Sequence, residues 1–183
     1  MLGTFFTWFY CLDYYEVLFL LMGFTGLFYV AKTKYSHWDF WKPVVAALLF
    51  SWVVAMILIT IFQRSTTVTA APVWRPFQSY INALKSDGEI ELLRSNFMNT
   101  VLFYPAGILL MSFLPNQGRL WLKLLFVLIL LGGLSAGVEF VQYRYNLGLP
   151  ETDDIIHNSL GAVIGAVTLY LVPIFIKYIN PQK

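Results

Sequence analysis

Long apolar stretches constrain this chain more than any other feature. Four of them lie at 44–62, 97–114, 120–143 and 155–176. Each meets the roughly 18 residues that a helix needs to cross the hydrocarbon core of a bilayer. A fifth span is predicted at 8–31, where a shorter apolar run is extended upstream by tyrosines.

The composition agrees with a membrane location. Apolar residues make up 58% of the chain and charged residues only 12%, which is too little polar surface for a water-soluble domain of this size. We therefore predict an all-α integral membrane protein with about five transmembrane helices, forming a single domain over 1–183.

The basic residues indicate how the chain is oriented. The loop after the first span, the loop after the third span with the adjoining helix turn, and the C-terminal tail hold seven basic residues, namely Lys32, Lys34, Lys42, Arg119, Lys123, Lys177 and Lys183. The opposite side holds five. Because cytoplasmic loops are enriched in lysine and arginine, the N-terminus is predicted outside and the C-terminus inside the cell. The chain has no run of basic residues typical of nucleic-acid binding, so no nucleic-acid partner is expected.

The second loop, 63–96, is too long for a plain connector and too apolar for a flexible linker. Apolar residues recur at helical spacing within 77–84. We predict a partly helical segment that lies in the outer interface as a lid over the bundle. A lid that packs on the bundle without any role in binding is the alternative.

Two polar stripes are predicted on the last two spans. At about 100° per residue, Ser135, Glu139 and Gln142 share one stripe, and Asp154 and Asn158 share another. A short loop joins these helices, so they are predicted to be antiparallel neighbours. Their polar stripes should then meet at similar depth.

Glu139 is the strongest functional candidate. An ionisable side chain inside a transmembrane helix costs about 3 kcal/mol on insertion scales, so such residues usually face a protein interior or a wet cavity and serve a function. A protonated Glu139 bonded to Asn158 or Ser135 is the structural alternative. Asp154 is also a functional candidate, whereas Asp153 and Glu151 are interpreted as acids that favour a helix start.

Glycines at four-residue spacing predict close helix contacts. Gly161 and Gly165 would let backbones approach, and Gly133 and Gly137 would form a second such face on the preceding helix. Helix packing is the preferred interpretation for all four.

His157 lies about 60° from the stripe of Asp154 and Asn158. It could complete a metal site with Glu139 and Asp154, but the chain has no HxxxH or HExxH spacing, and the other histidine, His37, lies in a basic loop. No metal and no other cofactor is therefore predicted.

Four segments in order resemble one family of membrane proteins. They are "WRPF" at 74–77, "NTVLFYPAG" at 99–107, "EFVQ" at 139–142 and "ETDDIIHNSLGAVIG" at 151–165. Together they resemble the VanZ-like family of bacterial membrane proteins over about 64–165. The resemblance implies a bacterial cell-membrane protein that acts at the envelope in resistance to glycopeptide antibiotics of the teicoplanin type.

The stripes and the resemblance together suggest a binding site. Asn99 lies at the start of a stripe on the third span. This start is predicted at the same outer membrane face as Glu139 and Asp154. We predict an outward polar pocket between the last three spans, with Arg75, Arg94 or Arg144 at its rim. Such a pocket suits membrane lipids, a lipid-linked cell-wall precursor or a lipoglycopeptide.

Two other classes of function stay open. One is an intramembrane enzyme in which Glu139 and Asp154, with His157, act as acid and base on a lipid headgroup. The other is a lipid transporter in which Glu139 titrates protons.

Overall fold

The computed structural model describes residues 14–62, 72–85, 90–115 and 117–179. In these residues six α-helices follow one another: α1 (Tyr14–Tyr35), α2 (Trp41–Ile57), α3 (Gln78–Ala83), α4 (Ile90–Phe113), α5 (Leu120–Tyr145) and α6 (Thr152–Ile179). A π-helical turn, Leu58–Phe62, continues α2. The start of the predicted first span, 8–13, lies outside the described residues, as does 63–71 of the second loop.

Five of the six described helices, all but the short α3, are long and apolar enough to cross a membrane. The predicted all-α membrane architecture is thereby confirmed, and α3 is the helical part of the loop between the second and third spans. The third spanning helix begins at Ile90, about two turns before the apolar stretch that predicted it. Its second turn contacts α3 through a hydrogen bond from Asn96 to Ser79.

The closest backbone contact joins α4 to α6. A Cβ atom on Gly161 would lie 2.0 Å from the carbonyl oxygen of Thr100, and one on Gly165 would lie 2.1 Å from that of Tyr104. Gly107 of α4 meets the backbone of α6 in the same way. No side chain fits at these positions, so the glycines allow the two helices to touch.

The glycines of α5 are placed differently. A Cβ atom on Gly133 or Gly137 would meet nothing within 4 Å, and both residues are exposed. They lie on the outward face of α5, beside the exposed side chains of Ile129 and Phe140. Rather than forming the expected second packing face, they meet no other described part of the chain.

The helices α1 and α2 lie against α4 from outside. The hydroxyl groups of Thr25 and Tyr104 are hydrogen-bonded at 2.8 Å, and the indole N–H of Trp52 donates to the carbonyl of Leu102 at 3.0 Å. Many of their other large side chains are exposed, as at Phe50. In a bilayer, such exposed apolar faces are expected to contact lipid.

Candidate functional site

One end of the bundle collects most of the buried polar side chains. Because successive spans alternate in direction, this end holds the end of α2, the starts of α4 and α6, and the end of α5. The buried polar residues here are Ser79, Asn96, Ser135, Glu139, Gln142, Asp153, Asp154, His157 and Asn158. We call this end the polar end.

The predicted stripes meet as pairs of side chains from different helices. The amide of Asn99 on α4 donates to Asp154 on α6 at 2.6 Å. The amide of Asn158 on α6 donates to the hydroxyl of Ser135 on α5 at 2.9 Å. The helix α6 is therefore the element that joins the polar residues of α4 to those of α5.

Glu139 is buried at the same depth, with 3% of its surface exposed. Its carboxyl group accepts the backbone N–H of Glu151 at 3.0 Å, just before α6 begins. A carboxyl group is favoured there because the first N–H groups of a helix are free to donate. Glu139 thus lies against the start of α6, while Asn158 bonds to Ser135.

Gln142 connects the polar end to the end of α2, and the sequence did not predict this contact. Its side-chain N–H donates to the carbonyl of Thr60 at 2.8 Å, within the π-helical turn. Such turns are frequent at functional sites. The remaining amide oxygens of Gln142 and Asn158 are buried and have no hydrogen-bond partner among the described residues.

These side chains surround a very small cavity. Its polar lining comprises Thr60, Asn99, Glu139, Gln142, Asp154 and Asn158, and Met56, Ile57, Phe103, Leu134 and Val138 form the apolar part. Its volume is only ≈ 10 Å³, about the space for one water molecule. The described residues at this position therefore enclose no space large enough for a lipid headgroup.

Residues 72–85, which we call the lid segment, lie over the start of α6 and are held by Asp153. The carboxyl group of Asp153 accepts the backbone N–H groups of Phe77 and Ser79 and the Ser79 hydroxyl. The Ser79 hydroxyl also accepts the side-chain N–H of Asn96 on α4 at 2.8 Å. Asp153 is more than an acid that favours a helix start, because it caps α3 from another part of the chain.

Three further contacts fasten the lid segment. Val73 forms a short parallel bridge with Glu151, and Trp74 packs edge-on against Tyr143 of α5 at 5.7 Å between ring centres. Tyr80 stacks on His157, and its hydroxyl lies 2.7 Å from the ring nitrogen Nε2.

His157 therefore lies under the lid segment. Its Nδ1 lies 2.6 Å from the carbonyl oxygen of Asp153, to which it donates when the Tyr80 hydroxyl donates to Nε2. Within the described ranges, no group of three His, Cys, Asp or Glu side chains is arranged to hold a metal ion.

The three arginines predicted at the rim have different surroundings. Arg75 is exposed in the lid segment, and Arg144 is exposed at the end of α5, 6.0 Å from the ring centre of Tyr145. Arg94 is half-buried in the first turns of α4. All three belong to elements of the polar end.

The fold and this cluster define a multi-pass membrane protein with acidic and amide side chains buried at one end of its bundle. A family model described as VanZ/LLP1 matches residues 18–175, and the chain belongs to the VanZ/LLP1 family. The match confirms the resemblance seen in the motifs and extends it across α1 and α2. No curated protein and no solved structure matches the chain.

Proposed function

We propose that this protein contributes to resistance against glycopeptide antibiotics of the teicoplanin type in a bacterial cell membrane. In this proposal the polar end binds the polar part of a lipid-linked envelope component or of a lipoglycopeptide. One observation carries the proposal: acidic and amide side chains from three transmembrane helices are buried together beneath a fastened lid segment. Membership in the VanZ/LLP1 family supports the resistance context.

Carboxyl groups within a membrane span are costly, and they are usually retained for binding or transport. Asn99 and the Glu151 backbone hold Asp154 and Glu139 in fixed positions. An ordered site of this kind suits ligands that present hydrogen-bond donors or cations.

In this proposal the lid segment moves when the ligand binds, because a cavity of ≈ 10 Å³ holds no headgroup. Exposed apolar side chains of the lid segment, among them Trp74, Phe77 and Leu84, give an acyl or prenyl chain a surface to contact. The ligand's chain would lie along these residues while its polar part replaces the lid segment's contacts.

The proposed orientation places the polar end outside the cell. The opposite end carries the basic residues Lys32, Lys34, Lys42, Arg119, Lys123 and Lys177. This distribution supports an outer N-terminus and a cytoplasmic C-terminus.

Antibiotic susceptibility tests the proposal. Strains expressing the wild type, Glu139→Gln, Asp154→Asn or the exposed control Asp39→Asn at equal membrane levels are compared with an empty-vector strain, using teicoplanin. We expect protection from the wild type and the control. A hydrogen bond to a charged group contributes about 1.5–3 kcal/mol, so each of the other two variants should weaken binding roughly tenfold or more and lose protection.

The same susceptibility experiment is repeated with a glycopeptide that has no acyl chain. Protection limited to the acylated drug would assign recognition to the chain as well as to the polar part. If every expressing strain is as sensitive as the empty-vector strain, the proposal fails. If both cluster variants protect like the wild type, the cluster is not the binding site.

A further inference from the structure

A second and much larger cavity lies at the opposite end of the bundle. It has a volume of ≈ 380 Å³ and lies between the end of α1, the start of α5 and the second half of α6. Its lining includes Lys32, Lys123, Met111, Leu169, Tyr170 and Ile174. The contacts of the polar end involve none of these residues, so the two cavities are separate.

Two lysines from different helices share this cavity. Lys32 is half-buried near the end of α1, and Lys123 lies in the first turn of α5. No acidic side chain is among the described residues of the lining. An anion between the two ammonium groups would offset their repulsion.

We propose that this cavity binds a phosphate-bearing anion. Lysine is a common phosphate ligand because its ammonium group offers three donors on a flexible stem. The start of α5 adds to the favourable field, because Arg119 provides no side-chain cap there and the first N–H groups point toward this end.

The walls of the cavity favour a lipid as the source of the phosphate. Tyr170 and Ile174, on the face of α6 that borders the cavity, are 43% and 53% exposed. Met111 and Leu169 continue the apolar wall inward. A phospholipid could therefore place its headgroup between the lysines and its acyl chains along α6, as in basic pockets between transmembrane helices.

Lipid titration of the purified full-length protein tests the proposal. The thermal unfolding midpoint in a neutral detergent is followed as phosphatidylglycerol, phosphatidylcholine or inorganic phosphate is added. The test variant is Lys32→Gln with Lys123→Gln, and the matched control is Lys34→Gln with Lys177→Gln, which removes the same charge from exposed positions at the same end.

We expect phosphatidylglycerol to raise the midpoint of the wild type and of the control. In the test variant its apparent affinity should fall roughly tenfold or more, since each basic residue near a membrane contributes about one kcal/mol to anionic lipid binding. Lys32→Arg with Lys123→Arg should restore the response, which separates a charge effect from a folding defect.

The other probes decide the source of the phosphate. A lysine-dependent shift with phosphatidylglycerol but not with inorganic phosphate assigns the site to a lipid headgroup, and the same shift with inorganic phosphate alone assigns it to a free anion. The proposal is overturned if the wild type and the test variant respond alike to both probes, or if phosphatidylcholine acts as strongly as phosphatidylglycerol.

Discussion

The centre and the periphery of this bundle differ in the opposite sense from a soluble protein. The apolar window of α4 is 67% buried, against 17% for α1 and 11% for α2. Yet α2 has the highest mean hydropathy, 2.7, and α4 the lowest, 1.2. Because lipid is as apolar as a protein core, the most apolar helix can face the bilayer, and the interior is where polar residues are held.

The largest effect of a substitution on stability is expected at the contact between α4 and α6. Gly161→Ala places a methyl group where the Thr100 carbonyl lies, so we expect the free energy of unfolding to fall by about 3 kcal/mol or more. Gly137→Ala faces open space and should leave stability unchanged or raise it by up to about 1 kcal/mol. Unfolding midpoints in detergent measure both. Equal losses in the two variants would contradict the central role of α4.

A smaller effect is expected where the lid segment is fastened. Asp153→Asn keeps one acceptor oxygen and replaces the other by an NH₂ group, so the expected loss is that of one hydrogen bond to a charged group, about 1.5–3 kcal/mol. Hydrogen exchange of the backbone N–H groups of Phe77 and Ser79 should accelerate roughly a hundredfold. The control Asp39→Asn should leave this exchange rate unchanged. Hydrogen exchange measured by mass spectrometry resolves this segment. Unaltered exchange in Asp153→Asn would show that other contacts hold the lid segment.

The smallest effect is expected where the periphery meets the centre. Tyr104→Phe removes the hydrogen bond to Thr25 that ties α1 to α4, at a cost of about 1 kcal/mol. Tyr178→Phe, at a tyrosine that is 83% exposed, serves as the control and should cost nothing measurable. A loss of 3 kcal/mol or more in Tyr104→Phe would mean that α1 belongs to the centre.

Helical spacing predicted much of the polar end. It placed Ser135 and Glu139 on one stripe and Asp154 and Asn158 on another, and the structure brings these stripes together with Asn99. Length and hydropathy were enough to predict five spanning helices. Both kinds of prediction depend on local sequence alone, and this is why they succeed.

The parts that could not be predicted depend on which helix faces which. Periodicity puts Gly161 and Gly165 on one face but does not reveal that the face meets α4 instead of the adjacent α5. Asp153 has the sequence features of any acid in a first helical turn, and its bonds to Phe77 and Ser79 span more than seventy residues. Thr60 carried no signal, because its contribution is a backbone carbonyl.

The glycine contacts of α4 and α6 also determine which motions the protein can use. A slide of one helix along the other by one turn, about 5.4 Å, would bring side chains against carbonyl groups that only glycine can meet. The glycine contacts therefore fix the axial position of α4 relative to α6, and with it the pairing of Asn99 with Asp154. We therefore expect an opening that admits a ligand to involve elements outside this contact, such as the lid segment or the π-helical end of α2.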